Sequence, residues 1–430
     1  MNRWFILYSF LVVGFILLIT SFSITYMQDI IWNNIKDVTV FVVFILVIAI
    51  EMQSIINNYG HSKSLTIPVQ KIKICFLLLQ LIVISILYYL SQLNIFSFSI
   101  TLIISNVLFS LFGVILFRRE KVICQLPDKT KQKPYSEISK YIYNFSHPLF
   151  TLALFTSLGM FFDRWFLQNI VGSIDQGFFH FANRLSILIL VFNGAIIPIM
   201  QKELVGLNSN ILLLQRKYEK FLLIFYFISN FLVCCILFNI NTIIDVFLNE
   251  QYRASYHVIL IVVFGTIFRS LGQFQNVLLI SMNKTKIIRN IGLIMAIVGF
   301  VLTLIFLSPQ EMLFNIGLNL GAIGLSLKFL LLEILSVFIV YIYININLKL
   351  SKYFIFKLIS ISLLLFVCMA TVTYANGFIF ELLQVNGTIS YSLFNILIFS
   401  MLIFYWVLRY PNIIGFRKEE LFELYRTQTN

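Results

Sequence analysis

Residues 256–281 read YHVILIVVFGTIFRSLGQFQNVLLIS. This stretch is apolar from end to end apart from a few polar residues and one charge, Arg269, near its middle. A helix needs about 20 such residues to cross the ~30 Å hydrocarbon core of a bilayer. The apolar residues are continuous and do not alternate with period two, which favours a membrane helix over a strand of an outer-membrane barrel. In lipid, every backbone polar group must find its partner inside the helix.

The same pattern recurs on both sides of this stretch. Spans are predicted near 4–24, 38–57, 73–91, 95–117, 141–161, 177–200, 220–239, 256–281, 288–308, 316–345, 355–376 and 390–409, twelve in all. The first is long and has no clear small-residue cleavage site after it, so it reads as an uncleaved span. Composition agrees: 60% of the 430 residues are hydrophobic and 11% are charged, against roughly 25% charged in soluble domains. The fold class is an all-α polytopic membrane protein with no room for a soluble catalytic domain. Cys75, Cys124, Cys234, Cys235 and Cys368 form no CxxC pair and lie near no histidine cluster, so neither a disulfide nor a metal site is assigned.

Basic residues orient the spans. With the N-terminus inside, the inner segments hold 25 of the 31 Lys and Arg, seven of them in the 118–140 loop, and the outer segments hold only Lys36, Arg164 and Arg253. Both termini are then cytoplasmic, and the net charge of +13 is mainly a topology signal. It also suits contact with anionic lipid headgroups and does not call for a nucleic-acid partner.

Span starts in the second half follow those in the first at offsets of 213 to 221 residues. This predicts two six-helix bundles, 1–217 and 218–430, related as parallel repeats. Such repeats are typical of transporters, with the substrate site between the halves. The outer loops are short. A membrane-embedded polymerase needs a larger outer loop to shape an acceptor site.

Charges inside a span cost at least about 2.5–3.5 kcal/mol at its centre, so they mark cavities or partners. Thr266, Arg269, Gln273 and Asn276 fall on one helical face, a polar stripe running inward from mid-bilayer. Lys328 reads at similar depth in the tenth span, after Gly317, Gly321 and Gly324. Arg184 and His180 lie one turn apart in the sixth, and Asn144, His147 and Thr151 line one face at the inner end of the fifth. The balancing acids are Glu51 in the second span and Glu333 in the tenth, the latter read toward the inner interface. Three cations against two acids predict a net positive cavity, suited to an anionic cargo. The alternatives are internal pairing for Lys328, outward snorkelling for Arg184, and packing roles for His147 and His180.

The segment FDRWFLQNIVGSIDQGFFHFANR, residues 162–184, resembles the fifth-to-sixth-span region of polysaccharide-repeat (O-antigen, Wzx-type) flippases. In that family an Asp ends the fifth span and a VG-x-Y-x-x-A run opens the sixth. Here Asp163 fits the first, while Gly177, Phe178 and Ala182 echo the second, with Phe in place of Tyr. FLNEQYRASYHVILIVVFGTIF, LLISMNKTKIIRNIGLI and LGAIGLS look like the family's seventh-to-tenth spans. The resemblance covers roughly residues 140–345. Residues 1–130 fit in topology only and lack the expected glycine-rich early pattern. The wider grouping is the multidrug/oligosaccharidyl-lipid/polysaccharide exporter superfamily, whose peptidoglycan-precursor flippases usually carry fourteen spans.

The resemblance implies alternating access and an undecaprenyl-pyrophosphate-linked oligosaccharide as cargo, moved from the inner to the outer leaflet of a bacterial cytoplasmic membrane. It implies surface-polysaccharide or lipopolysaccharide biosynthesis as the setting, with membrane lipids and the polymerase and chain-length proteins of that pathway as partners. No cofactor is called for; a proton or sodium gradient is the expected driving force. Arg269 and Lys328, with Gln273 and Asn276 beside them, are the residues expected to meet the anion. Arg184 and His180 would pass it outward, and Glu51, Glu333 and His147 are coupling or gating candidates. A drug or metabolite antiporter of the same superfamily is the nearest alternative, and a repeat-unit polymerase the enzymatic one.

Overall fold

The structure, a computed structural model, describes residues 37–62, 65–119, 135–207, 210–248, 250–310, 317–348, 350, 354–382 and 387–411. The first predicted span, 4–24, and Cys124 lie outside them. Among the described residues eleven helices are long and apolar enough to cross a membrane. They correspond in order to the other eleven predicted spans. The chain divides into two compact units, Met1–Lys133 and Pro134–Asn430.

The first unit contains α1 (Asp37–Ser62), α2 (Thr66–Tyr89) and α3 (Ile95–Arg119). Its core is small: Ile56, Val69, Phe109 and Phe117 are buried, and the Tyr59 ring meets Phe117 edge-on at 5.0 Å. Leu78, Leu81 and Ile82 of α2 are exposed. Faces this apolar need hydrocarbon rather than water around them.

The second unit holds α4 (Tyr135–Phe166), α5 (Ser173–Gly206), α6 (Ile211–Leu237), the short α7 (Ile240–Phe247), α8 (Tyr256–Ser281), α9 (Thr285–Leu307), α10 (Gly321–Leu348), α11 (Phe354–Leu382) and α12 (Thr388–Arg409). A π-turn, Leu167–Val171, joins α4 to α5 and ends at Gly172. The central helix is the stretch quoted first: α8 packs against α5 on one side and α10 on the other, while α9 packs against α4 and α10. The compact units meet at 133/134, whereas the six-plus-six division expected from repeat spacing falls at 217/218, within α6.

Lipid tails are as apolar as leucine, so close packing and hydrogen bonds hold membrane helices together. Stacked rings do part of this: Phe225 on Phe274 at 5.5 Å and Phe231 on Phe399 at 5.1 Å. Buried polar rungs do the rest. Asn193 of α5 donates to Ser270 of α8 at 2.8 Å, and Ser270 meets Ser229 of α6 at 2.8 Å. Asn376 of α11 donates to Asn395 of α12 at 2.6 Å.

Candidate translocation site

Helices α4, α8, α9 and α10 line an open cavity of about 270 Å³, bordered by Asp163, Arg269, Asn276, Lys328 and Glu333 among apolar side chains such as Phe155, Met295 and Phe300. Two ion pairs stand in its wall. In the first, the Lys328 ammonium donates to both oxygens of Asp163, at 2.5 and 2.6 Å. Both residues are buried, 4% and 5% exposed. The Thr303 hydroxyl of α9 lies 2.7 Å from Asp163 Oδ1 and 2.9 Å from the Gly299 carbonyl. Lys328 Nζ also lies 5.2 Å from the centre of the Phe329 ring. Gly299 makes room for this lysine: a Cβ there would stand 2.9 Å from Leu332 and 3.3 Å from Lys328 Cε.

The second pair is looser. Arg269 Nε lies 3.9 Å from Glu333 Oε1, and the two side chains are 37% and 30% exposed. Arg269 Nη1 donates to Asn183 of α5 at a long 3.4 Å. A guanidinium has five N–H donors, so most of this one's capacity is unused among the described residues. Arg269, Phe329 and Glu333 also border a second cavity of about 30 Å³, reached from Phe179 and Asn183. Phe179 and Asn183 in turn border a third space of about 410 Å³, lined by Arg164, Ser173, Gln176 and His180.

Of the predicted site residues, the cavity therefore brings together Arg269, Lys328, Asn276 and Glu333. Gln273 faces α5 instead, accepting from Asn193 Nδ2 at 3.2 Å, and Thr266 pairs with Ser186 at 2.6 Å. Half of the polar stripe thus joins helices. Arg184 is exposed and donates from Nε to His180 Nε2 at 3.2 Å. His147 is exposed near the middle of α4, against the Tyr143 ring, and not at a helix end. Glu51 is half-buried on α1, in the other unit.

Three expectations are corrected. The described cavity is charge-balanced, with two cations facing two carboxylates, because Asp163 joins it and Arg184 does not border it. Glu333 is level with Arg269, which lies at the middle of α8. Helix α10 starts at Gly321 and not at 316, which places Glu333 five residues closer to the start of the helix than the predicted span did. For the same reason Lys328 lies nearer the start of α10 than the level of Arg269, by the helix length between 328 and 333, roughly 7.5 Å at 1.5 Å per residue. Asp163 was readable only as the end of a span. The signal that it lies deeper is the run Leu167–Val171, which continues the helical path past it.

No family model matches the sequence, and no curated protein matches it. Solved structures do match. The lipid II flippase MurJ in an inward closed conformation is 14% identical, covers 95% of this chain and 83% of its own, and superposes with a TM-score of 0.62. A MOP-superfamily transporter from Pyrococcus furiosus is 13% identical over 80% of this chain and 77% of its own, with a TM-score of 0.61. A mutant of the Vibrio cholerae MATE transporter VcmN is 11% identical over 82% and 79%, with a TM-score of 0.59. The chain has the fold of MOP-superfamily membrane transporters.

Proposed function

We propose that this protein is a flippase that carries an undecaprenyl-pyrophosphate-linked oligosaccharide repeat unit, of an O-antigen or similar surface polysaccharide, from the inner to the outer leaflet. The observation that carries the reading is Arg269: a guanidinium at mid-span, held by one 3.9 Å ion pair and one 3.4 Å hydrogen bond, bordering two cavities. Arginine's planar fork suits phosphate oxygens. Moving an unscreened pyrophosphate through hydrocarbon would cost tens of kcal/mol in the Born limit, and a polar cavity substitutes for the lost water. The central space, about 270 Å³, is slightly below the roughly 300–1,000 Å³ of small-molecule sites. It suits a headgroup, and whole sugars require the cavity to enlarge during alternating access between halves 1–217 and 218–430. Arg184, His180 and Arg164 then receive the anion on the outer side. The likeness to MurJ over most of the chain supports a lipid-linked cargo.

A second reading draws on the balanced charge of the cavity. Asp163 and Glu333 would equally receive a cationic drug or metabolite, as in an antiporter. One experiment separates the two. Deleting the gene should leave full-length lipid-linked repeat units on the inner leaflet and no surface polymer. Single repeats displayed on the surface would instead indicate a polymerase, and an unchanged surface glycan would favour the antiporter. In the complemented strain, Arg269→Ala should insert normally and flip at least ~10-fold more slowly, since truncating a charged hydrogen-bond partner costs about 2–5 kcal/mol. Flipping at the wild-type rate would remove Arg269 from the scheme.

A further inference from the structure

We infer that Asp163 is a displaceable stand-in for the cargo's anion, holding Lys328 while the site is empty and yielding it when an oxyanion enters. The inference rests on the flippase reading above. It assigns a role to a residue that the composition of the site alone leaves unexplained.

The first argument is geometric. Asp163 presents two oxygens to one ammonium, at 2.5 and 2.6 Å, which is how a phosphate or carboxylate of a cargo would present itself. The pair stands in the wall of the cavity that Arg269 also borders, so an anion bound at Arg269 is already beside it. Arg269 is the weaker-held cation, with its carboxylate at 3.9 Å, and is therefore engaged first.

The second argument is what displacement leaves behind. A buried polar group without a partner is costly, so an exchange is feasible only if few groups are orphaned. Lys328 exchanges one anion for another. Thr303 has one proton and two acceptors within reach, Asp163 Oδ1 at 2.7 Å and the Gly299 carbonyl at 2.9 Å. When the carboxylate leaves, the hydroxyl turns to the backbone one helical turn earlier, a bond that serine and threonine commonly make in helices. Only Asp163 itself needs a new environment, and it borders open space in the cavity.

The third argument is energetic. Buried ion pairs often stabilise no more than apolar residues of the same volume would. A purely structural bridge between α4 and α10 could therefore be apolar. A carboxylate that a cargo anion must outcompete gives selectivity: neutral lipids and weak anions leave Lys328 closed.

The test is binding of farnesyl diphosphate to the purified, detergent-solubilised protein, followed by titration calorimetry. Asp163→Asn removes the competitor and should bind the probe about 10-fold or more tightly than wild type, given the strength of buried charge pairs. Thr303→Val keeps both charges but removes the hydroxyl that steadies the carboxylate, and should tighten binding by about threefold, the scale of one hydrogen bond. It decides the matter if Asp163→Asn fails to insert. Adding Lys328→Met to Asp163→Asn should abolish the gain. If wild type binds and Asp163→Asn and Thr303→Val bind equally well, the stand-in role is overturned and the flippase reading survives. If no variant binds the probe, the flippase reading falls and takes this inference with it.

Discussion

A lysine residue only 4% exposed inside a membrane helix is tolerable only with its counter-charge in place, and among the described residues Lys328 has the Asp163 carboxylate for that purpose. Removing either partner alone strands a charge. Lys328→Met should therefore destabilise the protein by about 3–5 kcal/mol, whereas the double variant Asp163→Leu/Lys328→Met should recover most of that loss, because apolar side chains of similar volume replace buried ion pairs at little cost. Thermal unfolding in detergent reads this directly. A double variant as unstable as the single one would mean that the site depends on the charges themselves for its packing. The flippase reading adds a second expectation for the double variant: it folds, yet does not move the anionic cargo. Arg269 behaves differently at this scale. Its contacts are long, so Arg269→Ala should alter transport much more than stability.

At the scale of elements, the start of α10 shows how the sequence builds the site's frame. Gly321 adopts φ +56°, a left-handed conformation that glycine enters freely. The Asp175 carboxylate, from the first turn of α5, accepts the Ala322 N–H at 2.8 Å and so satisfies a free donor at the start of α10. A Cβ on residue 321 would stand 2.7 Å from that same carboxylate oxygen. Gly321→Ala should thus cost about 1–2 kcal/mol for the backbone alone, and Asp175→Ala about 1 kcal/mol for the lost cap. Each should lower the melting temperature in detergent without abolishing probe binding. Binding lost at full stability would show that the cap positions Lys328, seven residues further on.

The helices themselves were legible in the sequence because bilayer thickness fixes their length, and a run such as 256–281 leaves little freedom. The ends were less so: starting α10 five residues early placed Glu333 too far along the span and hid its level with Arg269. Internal pairing of Lys328 was an open alternative in the sequence and is what the structure shows, but the identity of its partner was not legible. That partner lies 165 residues away, and no periodicity within either helix records a contact made between them. Likewise, the polar stripe on α8 was visible, but which of its members face α5 and which face the cavity depends on how α8 is rotated between its neighbours.

For the molecule as a whole, the alternation of loops makes the orientation testable one connection at a time. Ile211, Gln251, Lys284 and Leu318 are exposed and lie in or beside four successive connections of the second unit, separated by α6, α8 and α9. Helix α7, at eight residues, is too short to cross: it spans about 12 Å at 1.5 Å per residue, against ~30 Å of hydrocarbon. Cysteines placed singly at the four positions, in a background lacking the native ones, should therefore alternate in their reaction with a membrane-impermeant maleimide. The excess of Lys and Arg on one set of loops gives the expected absolute direction. Gln251→Cys and Leu318→Cys should label in intact cells, whereas Ile211→Cys and Lys284→Cys should label only after the membrane is opened. If Gln251→Cys and Lys284→Cys labelled from the same side, α8 would not span, and the central helix carrying Arg269 would have to be placed anew. If the alternation held with the sides reversed, the fold would stand while the direction of transport, from inner to outer leaflet, would lose its footing. The vestibule of Arg164 and His180 would then face the cytoplasm, as the entrance to the path instead of its exit.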